Sequence, residues 1–108
     1  VKPQLGSKER VFRLTFESIV NIESRTNKSV IDLTTDMAKG KYSFKDLLII
    51  LHEGLMGAKN NVLQEAVGDM IMESGIVKAS ETAGIVLASA FTGNSKDEKD
   101  PLVEAENK

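Results

Sequence analysis

Few side chains in this sequence could carry out chemistry. The chain of 108 residues has no cysteine, so no cysteine–histidine dyad can be built, and its one histidine, His52, lies beside the leucine stripe of a predicted helix. No metalloprotease, P-loop or dinucleotide-binding motif occurs. Asp97, Glu98 and Asp100 could approach a divalent ion, but a charge run of this kind is usually solvated. The sequence therefore predicts that the protein is not an enzyme and holds no cofactor or metal.

Glu23 is a carboxylate in an unusual position. In a helix it falls in the middle of an apolar face that includes Phe16, Ile19 and Val20. A buried carboxylate needs hydrogen-bond donors, and the free N–H groups at the start of the next helix, around residues 29–31, are the nearest candidates. We predict this structural role for Glu23. The alternative is a catalytic carboxylate, for which no partner acid or histidine is placed nearby.

Polar helix starts and glycine or asparagine stops divide most of the chain into five helices. Ser29 and Ser43 each precede an aspartate by three residues, which is the spacing of a capping box. Asn27 tolerates the left-handed conformation that ends many helices, and Gly57 and Gly75 are placed as helix stops. The predicted helices lie between 15 and 27, between 29 and 40, from 43 to about 56, between 61 and 75, and from about 76 to 91. Asn61, three residues before Gln64, is the predicted start of the fourth helix.

The segment before the helices predicts β structure. Gly6 and Ser7 could close a hairpin that brings residues 2–5 onto residues 10–14, and Pro3 restricts the first arm to an edge position. A lone hairpin is marginally stable in water, so this one must pack on helices or pair with another chain.

The predicted fold is therefore mostly α (α+β), with an N-terminal β-hairpin or strand packed on a bundle of about five short helices. Residues 1–93 form one predicted globular domain, in which residues 1–15 are the β portion and residues 16–93 are helical. Residues 94–108 are charged, contain Pro101 and show no periodic apolar face, so we predict a disordered acidic tail.

Four apolar side chains fall away from the predicted buried faces of their helices: Ile49, Met56, Met72 and Ile85. Ile49 and Met56 would be explained by a third helix that is buried on all sides. Met72 and Ile85 would be explained as scattered apolar residues on the surface, which are common. The alternative is a second apolar surface for a partner or for a homo-oligomer, a role to which methionine is well suited. These four are the candidate partner-binding residues.

Charge and composition restrict the partners. The net charge is −2 and the isoelectric point is about 5.4, whereas nucleic-acid-binding domains usually have a basic face. A small DNA-binding regulator stays an alternative, but its third helix would offer only Lys45 and His52 among aliphatic residues. No apolar run reaches the roughly 18 residues that a membrane span needs. We expect no nucleic acid, membrane or small-molecule partner, and a cytoplasmic location because cysteine is absent.

Three motifs carry a resemblance to a known family. They are L-T-F-x-x-I-x-x-I-E at residues 14–23, R-T-N-x-S at residues 25–29, and G-L-M-G-A at residues 54–58. In order and type they resemble the small tail assembly chaperones of siphophages and gene-transfer-agent-like prophages, over residues 11–91. Asn27 stands where the family often has glycine, which is compatible with the same turn.

The resemblance implies a protein made in the cytoplasm of a bacterial host during particle assembly. Such chaperones bind the tape measure protein, keep it soluble and help to recruit the tail tube protein, so these are the implied partners. A structural minor tail protein is the alternative. Subunits of a tail tube are rich in β structure, whereas this sequence has material for one hairpin.

Overall fold

The computed structural model describes residues 1–92, and the predicted tail at 94–108 lies outside the described residues. The predicted mostly α fold is confirmed, because a two-stranded antiparallel sheet precedes five helices in this part of the chain. The elements are β1 (Gln4–Leu5), β2 (Lys8–Glu9), α1 (Phe16–Thr26), α2 (Val30–Lys39), α3 (Phe44–Gly57), α4 (Gln64–Ser74) and α5 (Ile76–Phe91).

Side chains before the first three helices fix where those helices begin. Thr15, Ser29 and Ser43 each accept a hydrogen bond from the backbone N–H three residues later, at 3.0 Å in every case. This bond satisfies one of the donors that the first turn of a helix leaves free. Asn27 ends α1 in the left-handed conformation with φ 59°, and Gly75 ends α4 with φ 91°.

The fourth helix begins later than its sequence pattern predicts. Asn61 was the predicted start, but α4 begins at Gln64, and Leu63 holds the N-cap position without a side-chain hydrogen bond. The reason lies at the end of α3, where Lys59 adopts a left-handed φ of 69° and the Asn60 N–H returns to the Leu55 carbonyl at 2.9 Å. This turn leaves the following residues extended rather than helical.

The hairpin closes at Gly6 and Ser7, as the sequence predicts, with Leu5 opposite Lys8. The second strand therefore begins nearer the turn than the predicted residues 10–14. Backbone bonds continue in the same register, since the Phe12 N–H donates to the Val1 carbonyl at 2.9 Å. The hairpin is anchored to distant helices: the Gly6 N–H donates to Ser74 Oγ at 2.6 Å, and Thr82 Oγ1 donates to the Gln4 carbonyl at 2.7 Å.

Helix α3 is the centre of the fold and packs against α1, α4 and α5, while α5 also packs against α2. The N-terminal segment contributes three large side chains to the same core, which are those of Leu5, Phe12 and Leu14. Burial of each such side chain stabilises the fold by roughly 1.5–3 kcal/mol. The other large buried apolar residues are Ile22, Leu33, Leu47, Ile49, Ile50, Leu51, Leu55, Val67, Ile71, Val86 and Leu87.

Gly57 has a role different from the predicted helix stop. It is the last residue of α3, and Ala58 forms the C-cap. A methyl group on Gly57 would lie 2.0 Å from the Arg13 carbonyl oxygen and 2.7 Å from Ser18 Oγ. The absence of a side chain therefore allows the segment before α1 to lie directly on the end of α3.

Candidate partner-binding surfaces

Ile49 is not available to a partner. Its side chain is only 3% exposed and belongs to the hydrophobic core, so its assignment as a partner-binding residue is corrected. The physical reason is the central position of α3, which has neighbours on several sides. The same burial means that α3 presents little surface with which a recognition helix could read DNA.

The other three candidates are exposed but do not form one site. Met72 on α4 is 66% exposed, and Met56 and Ile85 are about half exposed on α3 and α5. Met56 lines a shallow pocket that also includes Thr15 and His52. Met72 lines a different and larger depression, so the structure separates these two side chains.

That depression is an open groove between the start of α3 and the outer side of α4, and we call it the α3–α4 groove. Its volume is about 560 Å³, and it is largely open to solvent. Leu63 is 76% exposed there, although its spacing from the other apolar residues of the fourth helix predicts a buried side chain. The groove is lined by Phe44, Leu48, Leu63, Gln64, Glu65, Gly68, Asp69 and Met72.

Sequence periodicity missed three of the apolar residues in this groove. Phe44 and Leu48 lie on the same stripe of α3 as buried leucines, and Leu63 precedes Val67 by four residues. Periodicity identifies an apolar face but does not show where a neighbouring helix stops covering it. Because Leu63 is the N-cap and stands outside the first turn of α4, its side chain is left on the surface.

Gly68 keeps the floor of the groove open. A methyl group at this position would lie 3.9 Å from Leu48 Cδ1, which is an ordinary van der Waals contact. No steric clash therefore requires glycine here, in contrast to Gly57. The missing side chain leaves space between α3 and α4 that a larger residue would fill.

The polar residues of the groove are acidic. Glu65 and Asp69 both line it and both are exposed. Within residues 1–92 neither carboxylate takes part in an ion pair. The groove therefore combines an apolar floor with two uncompensated negative charges.

A second apolar surface lies on α1 and consists of Phe16 and Val20, which we call the α1 surface. Phe16 is 85% exposed, although the sequence pattern predicts that it faces the core. Helix α1 instead turns Ser18 and Ile22 inward. The small Ser18 lies against Gly57, so the two helices approach closely on that side, while Phe16 and Val20 face outward.

A network of polar side chains lies at the edge of the groove and connects the helices there. The Arg25 guanidinium bonds to Glu53 at 2.7 Å, to His52 Nδ1 at 3.4 Å, and to the Gln64 side chain. Because the guanidinium donates to Nδ1, the proton of His52 is on Nε2, which donates to the Val62 carbonyl at 3.0 Å. This network ties α1, α3 and the start of α4 together, which gives His52 a structural role.

Two further charged residues join α1, α2 and α3. Glu23 Oε2 accepts a hydrogen bond from the Val30 N–H at 2.9 Å, at the start of α2. Lys28 Nζ lies 2.9 Å from Asp46 Oδ2 and 3.8 Å from Asp36 Oδ2. The hydrogen bond to Asp46 and the charge of that carboxylate raise the pKa of Lys28 above its ordinary value. These contacts fix the turn between α1 and α2.

Within residues 1–92, no group of three or more histidine, cysteine, aspartate or glutamate side chains could hold a metal ion. The helices in this part of the chain are too short or too polar to span a membrane. The α3–α4 groove and the α1 surface are thus two exposed apolar areas of the described residues, and Ile31, Ile76, Val77 and Phe91 are further exposed apolar residues on α2 and α5.

Both areas are exposed apolar surface on a small helical domain. The chain belongs to a phage tail family: the family model described as "Phage tail tube protein, GTA-gp10" matches residues 1–93. No curated protein and no solved structure gives a significant match. The protein is therefore a tail protein of the phage or gene-transfer-agent type, as the motifs at residues 14–23, 25–29 and 54–58 indicated.

Proposed function

We propose that this protein is a tail assembly chaperone that binds helical segments of the tape measure protein in the α3–α4 groove. The observation that carries the proposal is the open apolar floor formed by Phe44, Leu48, Leu63 and Met72. An amphipathic helix buries its apolar stripe in such a groove, with side chains spaced at i, i+3 or i+4, and i+7. Reversible burial of this kind would keep an exposed helix soluble in the host cytoplasm.

The α1 surface supports a second contact, with the tail tube protein. Phe16 and Val20 lie on α1, whereas the groove is formed by α3 and α4, so the two areas belong to different elements. A chaperone with separate areas could hold the tape measure protein while a tube subunit approaches. Met56 and Ile85 are exposed outside the groove and are secondary candidates for these contacts.

The test of the chaperone function is co-expression with fragments of the tape measure protein of the same phage or particle. We expect the soluble fraction of at least one helical fragment to rise, and the two proteins to co-purify. The variant Gly68→Leu should remove this effect, because its side chain would extend into the groove from a position where an added Cβ meets only Leu48 Cδ1, at 3.9 Å.

Gly84→Leu is the matched control. Gly84 also lies inside a helix, and no heavy atom stands within 4 Å of where its Cβ would be. It neighbours Ile85, so a loss of binding in this variant would move the site to α5. Unchanged solubility across fragments that cover the whole tape measure protein would show that the proposed function is wrong.

A structural minor tail protein is the second candidate, and the family description as a tail tube protein favours it. The described residues contain one hairpin with two strands of two residues each, which is little β structure for building a tube by strand pairing. Mass spectrometry of purified particles separates the two functions. A chaperone should be absent from finished particles, whereas a structural subunit should be present in a fixed ratio to the tube protein.

A further inference from the structure

The α3–α4 groove has an acidic rim that an apolar binding site does not require. Glu65 and Asp69 are four residues apart on α4, so they project from the same side of the helix, about 6 Å apart along its axis. No lysine or arginine is among the residues that line the groove. The Arg25 guanidinium, which bonds to Gln64 at the edge of the groove, is paired with Glu53, so Glu65 and Asp69 are the charged residues among those that line the groove.

The stability of α4 explains the position of Glu65 but not that of Asp69. Glu65 lies in the first turn of α4, where the helix dipole favours an acidic side chain. Asp69 lies beyond the first turn, and the aspartate side chain is not favourable inside a helix. Its carboxylate makes no ion pair within residues 1–92, so no contact in the described part of the chain explains it.

We propose that the groove selects amphipathic helices that carry lysine or arginine along one flank of their apolar stripe. Apolar residues of such a helix would contact Phe44, Leu48 and Met72, and two basic residues four positions apart would face Glu65 and Asp69. The inference rests on the proposed function for the identity of the partner, a tape measure segment. It adds the chemistry that decides which segments bind.

Charge at the rim acts mainly on selectivity. Complementary charges at the edge of an interface steer association and exclude wrong partners more than they raise affinity. A helix with glutamate on the corresponding flank would bring like charges together in the groove. Segments with an apolar stripe but an acidic flank should therefore be rejected, although the apolar floor fits them equally well.

The experiment uses three synthetic amphipathic peptides of equal length and equal leucine content, which differ by carrying lysine, glutamine or glutamate on one flank. Binding to the full chain is measured by fluorescence anisotropy at low and at high salt. We expect the lysine peptide to bind roughly threefold more tightly than the glutamine peptide at low salt, because exposed ion pairs contribute little affinity each. The glutamate peptide should bind most weakly, and salt should reduce all the differences.

The double variant Glu65→Gln, Asp69→Asn should abolish the preference for lysine. Glu17→Gln, Glu81→Gln is the matched control, because it removes the same charge, and Glu17 is in the first turn of α1 as Glu65 is in α4. A preference that survives in the Glu65 and Asp69 variant, or disappears equally in the control, would show that net charge and not the groove selects the peptide. Equal binding of the three peptides would also overturn the inference.

Two further outcomes separate this inference from the proposed function. If tape measure fragments bind in the groove regardless of their flank charge, the chaperone function stands and the charge selection is wrong. If the lysine peptide binds with the expected preference but no tape measure fragment does, the selection stands and the chaperone function is wrong. A homodimer that Gly68→Leu dissociates would assign the groove to a second copy of this chain and overturn the inference.

Discussion

The carbonyl oxygen of Arg13 occupies the space that a side chain on Gly57 would need. A Cβ on Gly57 would lie 2.0 Å from that oxygen, and the Arg13 N–H donates to the Gly54 carbonyl at 2.9 Å on the same helix. The backbone of the segment before α1 is therefore bonded directly to the last turn of α3. Ser18 lies against the same glycine, so one small residue sets the distance between α1 and α3.

The first prediction follows from this contact. Gly57→Ala should destabilise the protein by about 3 kcal/mol, the upper end of the range for overpacking, because backbone rather than a flexible side chain must move. Gly84→Ala, which meets open space, should instead stabilise α5 by roughly 0.5–1 kcal/mol. Urea unfolding followed by circular dichroism measures both changes, and equal midpoints for the two variants would contradict the contact.

The second prediction separates the two kinds of apolar residue that the sequence grouped together. Ile49→Ala should lower the free energy of unfolding by about 2–5 kcal/mol, since it leaves a cavity in the core. Met72→Ala should change that free energy by less than about 0.5 kcal/mol because the side chain is exposed. The same Met72 variant should weaken binding of tape measure fragments. A stable Ile49→Ala variant would show that α3 is not central.

The third prediction concerns the pair formed by Arg25 and Glu53. The Glu53 side chain is 11% exposed and the Arg25 side chain 30%, so Arg25→Met leaves a nearly buried carboxylate without its cation. We expect a loss of about 2 kcal/mol, less than for a wholly buried pair because solvent screens the guanidinium. The double variant Arg25→Met, Glu53→Gln should recover part of the loss. A double variant as unstable as the sum of the single variants would mean that the pair does not interact.

The fourth prediction is a pH dependence at high pH. Asp46 raises the pKa of Lys28 in the folded protein above the ordinary value of 10.5. The stabilisation is complete below pH 10.5 and is lost as the pH rises through the higher folded value. Lys28→Met should therefore flatten the fall of the melting temperature in this alkaline range, while leaving its dependence near neutral pH unchanged. Parallel curves for both proteins above pH 10.5 would count against the ion pair.

The fifth prediction concerns the α1 surface. Phe16→Ser and Val20→Ser should leave the unfolding midpoint almost unchanged, because both side chains are already exposed. Co-purification with the tail tube protein should fall in these variants, while binding of tape measure fragments in the groove should persist. Loss of both partners would indicate that the two areas form a single site.

Local chemistry in the sequence was sufficient to predict most of the helices. The N-cap residues Ser29 and Ser43 and the left-handed Asn27 act through bonds within a few residues, so their positions mark where the helices begin and end. The predicted helix start at Asn61 is wrong because the turn at Lys59 and Asn60 is set by hydrogen bonds to the end of α3 and not by a local cap.

The binding surfaces were harder to predict because they depend on where helices stop covering each other. Phe16 and Leu63 have the periodicity of buried residues, yet both are exposed. Ile49 lies off the main stripe of its helix, yet α3 is enclosed on that side as well. Met72 was identified correctly as exposed, but its neighbours Phe44 and Leu48 come from another helix, and no spacing within one segment could bring them together.

The hairpin is anchored by residues far along the chain, and this affects when it can fold during synthesis. Ser74 and Thr82, which hold Gly6 and Gln4, are synthesised long after the hairpin itself. Until α4 and α5 have left the ribosome, Leu5 lacks the helices that bury it and the hairpin is only marginally stable. Contacts between such distant segments slow folding, and apolar residues exposed in the meantime favour aggregation. Leu5 therefore stays without its complete packing until α5 has emerged, in a protein that we propose shields the apolar residues of other chains.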